Sequence, residues 1–186
     1  AASILYGRGI DTPEKADAFI HPSKAHFISP LKMRGMKETC DLITRARDEE
    51  WDVLVYGDYD ADGVCAATIM GGALNDFGVN VRVFVPERKN GYGVTVAAID
   101  EIFEEYFPQL VITVDCGIST AEEVEYLKES GCEVIVTDHH ELPENIPDCI
   151  CINPKFADGY PYDNLCGAGV AFKVACALCG KSAYKY

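Results

Sequence analysis

The chain has 186 residues, 48% hydrophobic and 25% charged, which are the proportions of a folding domain and exclude a disordered, collagen-like or mucin-like chain. Thirty acidic residues against sixteen basic ones give a net charge of -14, so attachment to polyanions through a broad basic face is disfavoured. A nucleic-acid role needs a local remedy such as cations held by clustered carboxylates. The longest apolar runs, such as Leu110 to Val114, are too short to span a bilayer and the start lacks a signal pattern, so a cytoplasmic protein with no membrane partner is expected.

Residues 1–37 read as a lead-in, and residues 38–186 as the main domain. Asp11-Thr12-Pro13 predicts a helix start, with Thr12 or Asp11 as cap and Pro13 in the first turn, for a short helix ending near His21-Pro22. Met36, Cys40, Ile43 and Ala46 recur at helical spacing within 36–50. Val53 to Tyr56 is a strand run ending in GDYDADG, and the apolar stretch from Val64 to Leu74 suits a buried helix. A strand over 79–85, a helix over 95–106 and a strand over 110–114 follow. Ser119 with Glu122 predicts a capping box for a helix to about Ser130; strands over 133–137 and 149–152 and a helix over 169–179 complete the pattern. Strands alternating with helices, and apolar on both faces, predict an α/β fold: a doubly wound, mostly parallel sheet with helices on both faces. In such sheets ligands bind beyond the carboxyl ends of the strands.

Nine cysteines in a chain with a sizeable apolar core point to reduced thiols. Cys176 and Cys179 fall on one helical face, and Cys149 and Cys151 on one side of a strand. Paired CxxC knuckles of a structural zinc site are missing.

Three strand runs end in acids: the first leads to Asp58, Asp60 and Asp62, the 110–114 strand to Asp115, and the 133–137 strand to Asp138, His139 and His140. A parallel sheet brings these ends to one edge. Carboxylates gathered there repel unless protons or cations neutralise them, and oxygen ligands with one or two imidazoles suit Mn²⁺ or Mg²⁺. Taken singly, Asp62 could cap a helix starting at Val64, Asp58, Asp60 and Asp115 could be turn residues, and either histidine could be a surface residue. Acids after three separate buried strands are hard to explain as unrelated turns. Two ions there would serve metal-assisted hydrolysis of a phosphodiester.

VYGDYDADG at 55–63, VDCGIS at 114–119 and TDHH at 137–140 resemble, in order and spacing, motifs I to III of the DHH phosphoesterase superfamily. RGIDTPEKADAFIHPS in the lead-in, PERKNGYGV at 86–94, and NPK followed by LCGAGVAFKVA at 153–175 are similar to its branch of bacterial single-strand-specific exonucleases. The resemblance implies that Asp60, Asp62, Asp115 and His139 are ligands of two Mn²⁺ or Mg²⁺ ions, with Asp115 bridging both and Asp58 supporting. It implies that His140 stabilises developing charge near the phosphate, with Asp138 orienting it. Arg88 would hold substrate phosphate and Tyr92 would stack on a base, although Arg88 and Lys89 read equally well as exposed loop charges. For GAGVAF, close helix packing is the better account.

The implied activity is hydrolysis of single-stranded DNA from the 5′ end in repair and recombination, by a monomer with DNA repair proteins as partners. Two alternatives stay open: a DHH phosphodiesterase on short oligonucleotides or cyclic dinucleotides, and a catalytically silent scaffold. The first is disfavoured because VLVYGDYDADG lacks a histidine shortly before its acid pair. Because Ala1 is not Met and no GTIAD-like fourth motif precedes Tyr186, the stretch reads as the amino-terminal part of a longer catalytic core, and whether it is active alone stays open.

Overall fold

Along the first strand, β1 (Asp52–Gly57), side chains alternate between two apolar layers: Val53 and Val55 enter one cluster, Leu54 and Tyr56 the other. The computed structural model describes residues 2–87, 93–157 and 160–186. Four more strands, β2 (Asn80–Phe84), β3 (Leu110–Val114), β4 (Glu133–Thr137) and β5 (Ile150–Ile152), join β1 in a wholly parallel sheet ordered β2-β1-β3-β4-β5.

Helices α1 (Ala2–Gly7) and α2 (Pro13–Ile20) belong to the lead-in and bury no residue. Three helices cover one face: α3 (Met36–Asp48), α4 (Ala61–Phe77) and α7 (Gly167–Cys179), packing Ile43, Met70, Leu74 and Val174 on Ile112 and Ile135. Helices α5 (Val96–Glu105) and α6 (Ala121–Glu129) cover the other with Ile99, Ile102, Val124 and Leu127. The doubly wound α/β expectation therefore holds, with the sheet parallel throughout.

Several boundaries differ from the sequence reading. Helix α1 has no counterpart in that reading, being a single turn and a half without a core-facing stripe. Helix α4 begins at Ala61, so Asp60, not Asp62, is its cap: Asp60 Oδ1 accepts the backbone N–H groups of Asp62 at 2.8 Å and Gly63 at 2.9 Å. The Ser119–Glu122 box does not form. The cap residue is Thr120, whose Oγ1 instead donates to the Gly117 carbonyl at 3.0 Å, because a tight turn with Asp115 at φ 61° and Gly117 at φ 106° carries the chain into α6. Helix α7 starts at Gly167, two residues earlier than its apolar run.

Candidate metal centre

The strand register sets the site. Gly57, Val114, Thr137 and Ile152 lie in one rung across β1, β3, β4 and β5, so Asp58, Asp115, Asp138 and Asn153 each follow immediately beyond an aligned strand end. The ladder continues one step further, with Asp115 N–H donating to the Thr137 carbonyl and Asp138 N–H to that of Ile152, both at 3.0 Å. Strand order reverses at β1, so this rim is the switch point where doubly wound sheets bind ligands.

Asp115 occupies the centre. It is 2% exposed and holds a left-handed backbone conformation uncommon for a non-glycine residue. Its Oδ1 has His139 Nε2 at 3.1 Å but accepts no hydrogen bond of normal geometry. Burial, then the charges of Asp62, Asp60, Asp138 and Asp58, push its carboxyl up to about 8. Asp58 is likewise buried, with Oδ1 unpartnered and its carboxyl raised chiefly by burial.

Ligand atoms of two triads lie within 4.8 Å of one another: Asp58, Asp60 and Asp115, and Asp115, His139 and His140. Asp115 belongs to both. Asp62 stands beside the second triad, with Oδ2 3.6 Å from His139 Nε2. Its carboxylate meets the amino end of α7, where Oδ2 accepts from Gly167 N–H at 2.7 Å and Oδ1 from Ala168 N–H at 2.8 Å. Burial pushes this carboxyl up, but the Ala168 and Gly167 amides outweigh it and the net shift is downward.

Asp138 is 1% exposed and fully engaged. Its Oδ2 accepts from Ile118 N–H at 3.0 Å, and its Oδ1 from His139 N–H at 2.6 Å and His140 N–H at 3.1 Å, with His140 Nδ1 at 2.6 Å. The rings of His139 and His140 lie 4.5 Å apart between centroids. Buried Asn153 completes the support: its Nδ2 donates to the His140 carbonyl at 3.0 Å and its Oδ1 accepts from Lys155 N–H at 2.9 Å.

All five aspartates and both histidines thus meet at one rim. Arg88, Lys89 and Tyr92 lie outside the described residues. Sequence reasoning missed three supports: Asn153, the Gly167 and Ala168 amides, and Gly167 as a spacer. A Cβ on Gly167 would lie 2.2 Å from Asp115 Oδ1, so only glycine lets α7 approach this closely. GAGVAF is therefore close packing with a polar purpose. Gly57, Gly63 and Gly117 let the chain approach itself closely: their Cβ atoms would meet Ala67 Cβ at 2.9 Å, the Asp58 carbonyl at 2.4 Å and Thr113 Oγ1 at 2.6 Å.

A doubly wound parallel sheet with carboxylates and imidazoles in mutual ligand reach at its switch point is an α/β domain with groups that could hold a metal ion. The chain belongs to the DHH family: the family described as "DHH family, N-terminal domain" matches residues 52–185. It is 43% identical over 183 residues to the single-stranded-DNA-specific exonuclease RecJ of Bacillus subtilis (strain 168), covering 97% of this chain and 23% of that protein. A crystal structure of exonuclease RecJ bound to manganese matches with a TM-score of 0.74 and 35% identity, over 82% of this chain and 39% of that one. RecJ of Thermus thermophilus in complex with Mn²⁺ matches with a TM-score of 0.72 and 32% identity, over 94% and 24%. The chain spans about a quarter of the length of the curated relatives it matches.

Proposed function

We propose that this chain supplies the aspartate–histidine metal centre of an exonuclease that hydrolyses single-stranded DNA from its 5′ end, acting in the cytoplasm in repair and recombination. The observation that carries the reading is Asp115: a buried carboxylate oxygen without a hydrogen bond, beside four more aspartates, and common to both ligand triads. A buried carboxylate so placed is unfavourable unless a proton or cation neutralises it. Its hard oxygen neighbours with two imidazoles fit Mn²⁺ or Mg²⁺. Relatives crystallised with manganese and magnesium support the same choice.

Asp58, Asp60 and Asp115 would hold one ion, and Asp115 with His139 the other, with Asp62 joining through the lone pairs that its α7 hydrogen bonds leave. Bound there, two divalent ions supply the positive charge that activates a water and offsets the charge of a scissile phosphodiester. The residues around them set geometry. Asp138 holds His140 through Nδ1, which leaves Nε2 to face the phosphate, where the ring would stabilise developing negative charge. Asn153 and the Ile118 amide lock the Asp138–His140 turn, so neither histidine reorganises as charge develops. Arg88 and Tyr92 are proposed to grip the phosphate and a base of the strand, and residues 38–186 to form the DHH unit on which the lead-in packs.

The test uses the full-length parent protein with 5′-labelled single strands, short oligonucleotides and cyclic dinucleotides in Mn²⁺. Preferred degradation of the long strand, abolished by Asp115→Ala, is the expected result. Unchanged cleavage in that variant would overturn the role of Asp115, and preference for the short substrates would reassign the activity.

A further inference from the structure

The CxC motif at the sheet edge has no part in the metal centre, yet it makes the one thiol–thiol contact found among the described residues. Cys149 Sγ and Cys151 Sγ lie 3.7 Å apart. Strand β5 is an edge strand of three residues, held on one side only by the pairs Ile135–Ile150, Val136–Cys151 and Thr137–Ile152. Immediately before it the chain bends tightly, with Cys149 N–H donating to the Pro147 carbonyl at 3.0 Å. Both cysteines line a groove of about 470 Å³ shared with Arg34, Pro147 and Phe156. Cys149 is half-buried and Cys151 is 8% exposed, so Cys149 is the more open of the two residues at the groove.

We propose that Cys149 and Cys151 form a thiol–disulfide exchange site for small-molecule disulfides of the glutathione class, and that its closure is transmitted to the His139–His140 turn. The hydrogen bond with the Cys149 thiol, then the Arg34 guanidinium, favour the thiolate at Cys151, while burial, the Asp138 charge and the Pro147 carbonyl 3.7 Å from its Sγ oppose it. The Cys151 thiolate attacks one sulfur of the small disulfide, forming a mixed disulfide and releasing one small thiolate. Cys149 loses its proton to solvent and attacks Cys151 Sγ, expelling the second. The protein pair gives up two electrons and two protons, and the reagent leaves as two thiols. Residues two apart close a small ring, and strained bridges of this kind are readily reduced, so the site is reversible.

Transmission follows from the contacts beyond Cys151. Ile152 accepts the Asp138 N–H, and Asn153 holds the His140 carbonyl. Drawing Cys149 toward Cys151 reshapes β5 one residue short of those anchors.

Oxidised glutathione applied to the folded chain, followed by alkylation and peptide mass spectrometry, tests the site without reference to metal or nuclease activity. The expected result is loss of two alkylatable thiols of the nine, Cys149 and Cys151, joined to each other and restored by dithiothreitol. Cys149→Ser should retain a glutathione adduct on Cys151 instead. Amide resonances of His139, His140 and Asn153 should move on oxidation of the natural chain and stay in place in the double variant Cys149→Ser/Cys151→Ser. Both thiols remaining alkylatable, a persistent adduct in the natural chain, a bridge between other cysteines, or thiols released only by a metal chelator would overturn the exchange site. Unmoved resonances with the bridge formed would overturn the coupling.

Discussion

The two ends of the sheet both carry acids, and they treat them oppositely. At the strand starts, Asp52 accepts from the Asn80 side-chain amide, its N–H donates to Gln109 Oε1 at 2.7 Å, and Glu133 lies exposed. Neutral amides and water satisfy these groups. At the strand ends, Asp58 and Asp115 are buried, and each keeps an unpartnered oxygen. An acid beside a strand is therefore no signal of chemistry; an acid removed from water without donors is, because only a proton or cation completes it.

Exchanging charge at the two ends should break this symmetry most visibly. In the full-length protein, Asp115→Asn should reduce Mn²⁺-dependent cleavage by more than the about 10–100-fold typical of residues one layer behind a metal. Asp52→Asn should leave cleavage unchanged and alter stability by no more than about 0.5 kcal/mol. Initial rates and denaturant melts of the two variants side by side provide the check.

Stability against pH sharpens the same contrast. In metal-free chain burial, then the neighbouring aspartates, push the Asp115 carboxyl up from 3.8 to about 8 on folding, so between those values the folded state keeps a proton that the unfolded state has lost. Stability from this group therefore falls as pH rises from about 4 to about 8, by up to about 6 kcal/mol. Asp62 acts in the opposite sense: its lowered carboxyl adds stability above 3.8 that is lost as pH falls through its folded value. Melts should show Asp115→Asn flattening the fall between about pH 4 and about pH 8, and saturating Mn²⁺ raising Tm more at about pH 8 than at about pH 5. A natural chain equally stable at both pH values without metal would contradict the burial argument.

Much of this was legible in the sequence, for physical reasons that also mark its limits. Acids at strand ends could be read because apolar runs fix where each strand stops, and parallel pairing fixes which stops are neighbours. The choice between Asp60 and Asp62 as helix cap could not, since both residues suit the position. It is settled by α7, whose free amides draw the Asp62 carboxylate away from its own helix. Backbone donors have no letter in the sequence, so the role of Gly167 and Ala168 was invisible. The Ser119 box failed because the left-handed turn at Asp115 and Gly117 displaces the helix start, and that conformation depends on the neighbouring strand.

Spacing at the two kinds of glycine separates rim from periphery. Gly167→Ala places a methyl 2.2 Å from Asp115 Oδ1, so α7 must retreat, at a cost of about 1–3 kcal/mol and with the Asp62 hydrogen bonds disturbed. Gly7→Ala meets nothing within 4 Å and should be neutral or mildly stabilising. Denaturant midpoints measure both, and equal effects would remove the case for α7 as a spacer against the acidic rim.

A smaller effect than at Asp115 or Gly167 is expected at Asn153, where the two ends differ least in appearance. Like Gln109 at the strand starts, Asn153 is an amide that joins neighbouring segments, but it is buried and holds the carbonyl of His140. Asn153→Ala removes one buried hydrogen bond and leaves that carbonyl to find water, a loss of about 1 kcal/mol. Its larger consequence is positional, since the His140 backbone then loses its Asn153 anchor while its ring keeps the Asp138 contact. Cleavage by the full-length variant should fall through kcat with KM little changed, whereas Gln109→Ala should move neither. A Gln109 effect on kcat equal to that of Asn153 would mean the two sheet ends are mechanically linked, and that the rim owes its order to the whole strand ladder rather than to the contacts just beyond it.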